Sequence, residues 1–171
     1  MRYTEQDSPA PMDPYGVSKL EAEEVLKKIS LETGLEVVVI RPPLVYGPGV
    51  KANFYKLMGL VARGLPLPLG SIHNARSMVY LGNLIDAVAL CAAHPLAAGQ
   101  AFLVRDGEDV ATPELIRRLA AALNCPARLF PFPPTLMRLV GAIVGRTAAV
   151  DRLMGSLTVD DGKILKELGW K

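Results

Sequence analysis

The sequence predicts a mixed α/β domain, and three observations carry that prediction. A helix with clear start and stop signals, Asp13-Pro14 to Gly34, runs at once into four β-branched apolar residues, Val37-Val38-Val39-Ile40, the signature of a strand buried on both faces. Helical and extended patterns then alternate for most of the chain, which favours strands covered by helices over a bundle or a sandwich. Finally, 171 residues with a hydrophobic fraction of 50% and a charged fraction of 21% are enough for one globular domain, residues 1–171, and too apolar for disorder.

Each element has a local reason. Residues 1–12 are polar and carry Pro9 and Pro11, so they read as an extended arm. Asp13 is an N-cap and Pro14 a first helical residue; Val17, Leu20, Val25, Leu26 and Ile29 recur at helical spacing until Gly34. After the strand, Arg41 to Gly49 is a loop punctuated by Pro and Gly, and a helix follows from Asn53 to Ala62, closed by Gly64. Leu65 to Gly70 alternates Leu with Pro and suits a short extended edge. A strand is expected at Ser77 to Tyr80, and a helix capped by Asn83 should run to about His94. Ala101 to Val104 is a second buried strand. Thr112-Pro113-Glu114 opens a helix whose stripe is Leu115, Ile116, Leu119 and Leu123. A short strand near Leu129, an apolar helix from Thr135 to Val144 and a terminal helix from Asp160 to Leu168 complete the chain. The Thr135 helix is apolar over a wide arc and carries Gly141, so it reads as buried or inter-subunit.

Charge excludes some partners. With 19 Lys+Arg against 17 Asp+Glu and no basic run, the chain has no footprint for nucleic acid. The longest apolar stretch, Leu136 to Val144, is about half a membrane span, and Met1 to Asp7 lacks the apolar centre of a signal peptide. A cytoplasmic protein is expected. Cys91 and Cys125 lie far apart with no Cys-x-x-Cys and no Cys/His cluster, so both read as reduced structural thiols and no metal is expected. His73 reads as an exposed loop residue and His94 as a helix-end residue.

Tyr15 and Lys19, four residues apart, share one face of the first helix. A Tyr serving as a base at neutral pH needs its pKa lowered by about 3 units, or ~4 kcal/mol, and a fixed neighbouring cation is the direct way to favour the phenolate. The bare spacing also arises by chance on helices.

Context decides between those readings. The string Asp13-Pro14-Tyr15-Gly16-Val17-Ser18-Lys19-Leu20-Glu21-Ala22-Glu23, followed by Arg41-Pro42-Pro43-Leu44-Val45-Tyr46-Gly47-Pro48-Gly49, resembles the extended short-chain dehydrogenase/reductase family of nucleotide-sugar epimerases, dehydratases and reductases. Leu67 to Gly70 with Arg76 to Ala87 looks like the family's substrate segment, and Asp160 to Trp170 like its C-terminal helix. The resemblance implies a Rossmann-like α/β fold in which residues 13–49 hold the Tyr/Lys helix and the following strand, and 50–171 mainly the nucleotide-sugar subdomain. It implies Tyr15 as acid/base and Lys19 as the residue that lowers its pKa and meets the nicotinamide ribose. Pro43, Leu44 and Val45 would present backbone to the nicotinamide. Leu44, Asn53, Leu67 and Arg76 would contact substrate, Arg76 gripping a diphosphate. It also places the strand Val37 to Ile40 beside Ala101 to Val104.

Departures from the pattern matter equally. No Gly-x-Gly-x-x-Gly occurs in the chain, so the N-terminal dinucleotide-binding half is read as missing. The Ser or Thr partner of the catalytic Tyr is not recognisable, and Leu44 stands where many members carry Asn. The sequence is therefore read as part of an NAD- or NADP-dependent UDP-sugar epimerase or 4-ketoreductase, similar to the bacterial O-antigen group that handles UDP-N-acetylhexosamines. Its parent is expected to be a homodimer, and the chain alone is expected neither to hold the cofactor nor to act. The alternatives are a catalytically silent binding module and a steroid or flavonoid reductase of the same superfamily.

Overall fold

Asp13 opens the first helix as the sequence predicts. In the computed structural model, which describes residues 2–171 apart from the side chains of Ala52 and Asn53, its carboxylate accepts the Gly16 N–H at 2.8 Å. Pro14 takes the first turn of α1 (Pro14–Thr33), and Gly34 closes it with φ 74°, donating to the Ser30 carbonyl. Only a residue without Cβ enters that left-handed conformation at no cost. None of the twenty helical residues is buried, and Val17, Val25, Leu26, Ile29 and Leu31 stay exposed.

The strand that follows is shorter and less covered than predicted. β1 (Val39–Arg41) pairs in parallel with β4 (Ala101–Leu103), in the register Val39↔Ala101 to Arg41↔Leu103. That pairing is the expected one. Burial on both faces is not found: β1 is half-buried throughout, because it has one ladder partner and α1 buries none of its own residues against it. β2 (Leu44–Tyr46) lies inside the segment read as a loop; three residues between Pro43 and Gly47 are too few to show an alternating pattern.

The chain divides into two compact units. The first comprises Met1–Val45, Val79–Gly107 and Val159–Lys171. Its core gathers Val79, Phe102 and Val104, Ala87 and Cys91 from α3 (Leu81–Ala93), and Ile164, Leu168 and Trp170 around α7 (Gly162–Leu168). Its arm is tied down: Tyr3 forms a parallel bridge with Val159, Asp160 N–H donates to the Tyr3 carbonyl at 2.8 Å, and Glu5 accepts the Leu103 N–H at 2.9 Å. α3 begins before the predicted cap: Tyr80 is the N-cap residue, and Asn83 sits in the first turn.

The second unit comprises Tyr46–Met78 and Glu108–Thr158. It contains α2 (Ala52–Ala62), α4 (Thr112–Ala122), α5 (Pro134–Ile143) and α6 (Thr147–Met154). β3 (Arg76–Tyr80) pairs antiparallel with β5 (Asp109–Val110), Arg76 opposite Val110 and Ser77 opposite Asp109. Val61, Leu67, Leu69, Ile72, Ile116, Ala120 and Met137 form the core. The extended edges expected near Leu67 and Leu129 exist as a single parallel bridge between those residues. Asn74 is buried, and its amide donates to Thr112 Oγ1 at 2.9 Å and to the Leu153 and Gly155 carbonyls, while its oxygen accepts the Thr112 N–H at 2.8 Å. Of the two readings of the apolar α5, full burial within the chain is not found: Met137 and Gly141 are buried, but Leu136, Leu139, Val140 and Ile143 are exposed. Gly141 permits its close approach to α6, since a Cβ there would lie 2.8 Å from Val150 Cγ2.

Candidate active site

The N-cap at Asp13 fixes where α1 starts, and hence where Tyr15 and Lys19 stand. Both are exposed, Tyr15 at 72%, and Lys19 Nζ lies 5.5 Å from the centre of the Tyr15 ring. An ammonium at this range of a phenol ring is attracted to its face. Ser18 Oγ donates to the Tyr15 carbonyl at 2.8 Å, which uses its hydroxyl within the helix.

Further along the same helix, Glu23 meets Arg41 at the end of β1. Arg41 Nε donates to both carboxylate oxygens, at 3.0 and 3.1 Å, and Nη2 adds a third contact. The bond to Glu23 holds the guanidinium above its ordinary pKa against the opposing effect of burial, with a smaller contribution from the charge of Glu5. Pro43, Leu44 and Val45 follow directly and are half-buried, Val45 packing against the core of the first unit.

In the second unit, Arg76 begins β3, bridged to Leu157. Its Nη1 donates to the Arg152 carbonyl. Burial pushes the guanidinium down from its ordinary pKa, and among the described residues no carboxylate pairs with it. A half-buried cation without a counter-ion favours an anion from outside. Leu67, predicted at the substrate, has its side chain in the core and its backbone engaged with Arg128 and Phe130 at 2.8 and 3.1 Å. Asn53 lies in α2 with its side chain outside the described residues. His73 is exposed, and His94 Nδ1 accepts the Leu96 N–H at 3.3 Å. Among the described residues no cluster of metal-ligating side chains exists, and no helix is long and apolar enough to cross a membrane.

Sequence reasoning missed Glu23, Arg41 and Asp106. Glu23 could have been found, because it continues the Tyr15, Lys19 spacing by one further step of four. The carboxylate of Asp106, from the loop after β4, reaches the start of α3, a contact no local pattern announces.

Comparison with known proteins identifies the family. Residues 2–104 match the family described as NAD dependent epimerase/dehydratase. A UDP-glucose 4-epimerase of Vibrio cholerae is 50% identical over 167 residues, 97% of this chain and 51% of that protein. An N-acetyl-alpha-D-glucosaminyl-diphospho-ditrans,octacis-undecaprenol 4-epimerase of Escherichia coli O157:H7 is 29% identical over 127 residues, covering 72% of this chain and 38% of its own length. The crystal structure of the Thermus thermophilus UDP-glucose 4-epimerase complex with NAD superposes on all of this chain and 52% of its own with a TM-score of 0.74 and 26% identity. The chain thus spans about half the length of the first of these relatives and of the solved structure, and the partial Rossmann-like α/β fold expected from the sequence is the one found. It belongs to the NAD-dependent epimerase/dehydratase family.

Proposed function

We propose that this chain is the acid/base and substrate-binding part of an NAD- or NADP-dependent nucleotide-sugar epimerase or 4-ketoreductase that works at C4 of a UDP-linked hexose. The observation that carries the reading is the exposed Tyr15 phenol with the Lys19 ammonium 5.5 Å from its ring centre.

The residues present fit the nicotinamide end of a dinucleotide, where an accessible phenol, an accessible ammonium and the backbone of Pro43 to Val45 would meet the ribose and the ring. For the adenosine diphosphate end the sequence holds no Gly-x-Gly-x-x-Gly, so the chain alone is not expected to retain the cofactor. When bound, the nicotinamide supplies or accepts a hydride. Tyr15 takes the proton of the sugar hydroxyl during oxidation and returns it during reduction. Lys19 stabilises the phenolate between those events. Arg76 offers a charged, half-buried donor fork to the diphosphate, and Leu44 and the Asn53 end of α2 are the remaining candidates for substrate contact, the Leu67 side chain being in the core.

The 50% identity to a protein named as a UDP-glucose 4-epimerase supports a UDP-hexose, with UDP-N-acetylhexosamines as the other candidates. A cytoplasmic location and a homodimer belong to the same proposal; the exposed apolar residues of α1 support the dimer. In a full-length protein carrying this sequence, UDP-sugar turnover should fall ~10² to 10⁴-fold in Tyr15→Phe. Interconversion without net use of reduced cofactor identifies an epimerase, and stoichiometric use a reductase. Undiminished turnover in Tyr15→Phe overturns the catalytic reading in favour of a silent binding module.

A further inference from the structure

We propose that the Glu23–Arg41 ion pair is a positioning clamp, which sets the helix carrying Tyr15 and Lys19 against the segment Pro43 to Val45. The proposal rests on the catalytic reading given above.

Tyr15, Lys19 and Glu23 fall at steps of four along α1 and therefore share one side of it. Glu23 is two turns, about 12 Å, from Tyr15, too far to touch the reacting groups. Its partner Arg41 ends β1 and precedes Pro42 and Pro43, whose rings lock φ. Wherever Arg41 is held, Leu44 and Val45 follow with little slack. The pair therefore joins the two parts of the first unit that the proposed chemistry needs in register.

Hydrophobic packing does not do this job. None of the residues of α1 is buried, and among the described residues no other side chain of α1 is hydrogen-bonded to a strand. An apolar contact would in any case let the helix slide or roll, whereas a planar guanidinium meeting both oxygens of one carboxylate fixes direction as well as distance. The side chains are 28% and 25% exposed, sheltered enough to hold a geometry that a surface pair would lose to water and side-chain entropy. Glu5 adds a second negative charge near the guanidinium, and its carboxylate is itself fixed by the N–H of Leu103, the register partner of Arg41.

Two readouts test the clamp. In this 171-residue chain, Glu23→Gln and Arg41→Lys should speed hydrogen–deuterium exchange in residues 15–23 and 41–45 and leave α3 unchanged, while Tyr15→Phe should leave all three as they are. In a full-length enzyme carrying the sequence, both clamp variants should lower kcat about tenfold or more with substrate KM within about twofold, as expected when reacting groups are misplaced without loss of binding contacts. The charge-exchanged pair E23R/R41E should recover part of each loss. Parental exchange in both segments overturns the clamp even if Tyr15→Phe is inactive. Parental kcat in Glu23→Gln with faster exchange also overturns it, reducing the pair to a structural tie. Parental behaviour of Arg41→Lys overturns the requirement for a fork. An active Tyr15→Phe enzyme instead removes the catalytic reading, and the exchange data separate the two failures.

Discussion

Asp106 caps a helix to which it does not belong. Its two carboxylate oxygens accept the Tyr80 N–H at 2.9 and 3.0 Å, and one also accepts the Asn83 amide at 2.8 Å. Tyr80 is the N-cap residue of α3 and has no side-chain oxygen placed to cap it. The carboxylate satisfies the first N–H and lies at the positive end of the helix dipole. Removing a cap costs about 1 kcal/mol, which for a chain of this size lowers Tm by roughly 2–4 °C. Asp106→Ala should show this in thermal melts, with Asp106→Asn recovering part of it.

Asn74 should prove more costly. Its amide serves Thr112 and the carbonyls of Leu153 and Gly155 together. Asn74→Ala strands several buried polar groups, at about 3 kcal/mol, and should be measurable as a lower urea midpoint. A loss below about 1 kcal/mol would mean that water replaces the amide.

Arg76→Ala in a full-length enzyme should differ in kind from Tyr15→Phe. Losing a charged contact to phosphate costs about 1.5–3 kcal/mol, roughly tenfold to a hundredfold, and it should fall on KM if ground and transition states bind the diphosphate alike. A drop confined to kcat would place Arg76 outside the diphosphate contact.

Burial raises the pKa of the Cys91 thiol above its ordinary value of 9.0. The folded state therefore keeps a proton that the unfolded chain releases. Stability from this group is intact below about pH 9 and is lost as pH rises through the folded pKa. Alkaline unfolding should be less steep in Cys91→Ala, and a thiol reagent at about pH 8 should label Cys125 well before Cys91, which is 5% exposed.

What was legible in the sequence follows physical range. α1 and α4 are written locally, in caps, prolines and apolar spacing, and both are found within a residue or so of their predicted bounds. The parallel pairing of β1 with β4 came from family resemblance, since two short apolar runs about sixty residues apart carry no register of their own. β2 and α6 went unread because one is three residues long and the other begins without a capping bond. Burial was overestimated where apolar pattern stood in for neighbours, as in β1. At the site, spacing found Tyr15 and Lys19, but Glu23–Arg41 needs the tertiary fold to exist before its two halves meet.

The first unit is assembled from three stretches well separated in sequence, which bears on how it can be made. A ribosome releases Tyr3 and the α1 segment long before Val159, so the bridge that anchors the arm has no partner until Val159 is made. Ile164, Leu168 and Trp170, which close the core around Phe102, arrive later still. Vectorial synthesis thus leaves the proposed catalytic helix waiting on residues 159–171, and contacts of such long range are slow to form. A premature stop codon just before Val159 should yield a protein in which the second unit retains its core residues while the first lacks its last wall, a candidate for proteolysis in the cell rather than for partial activity.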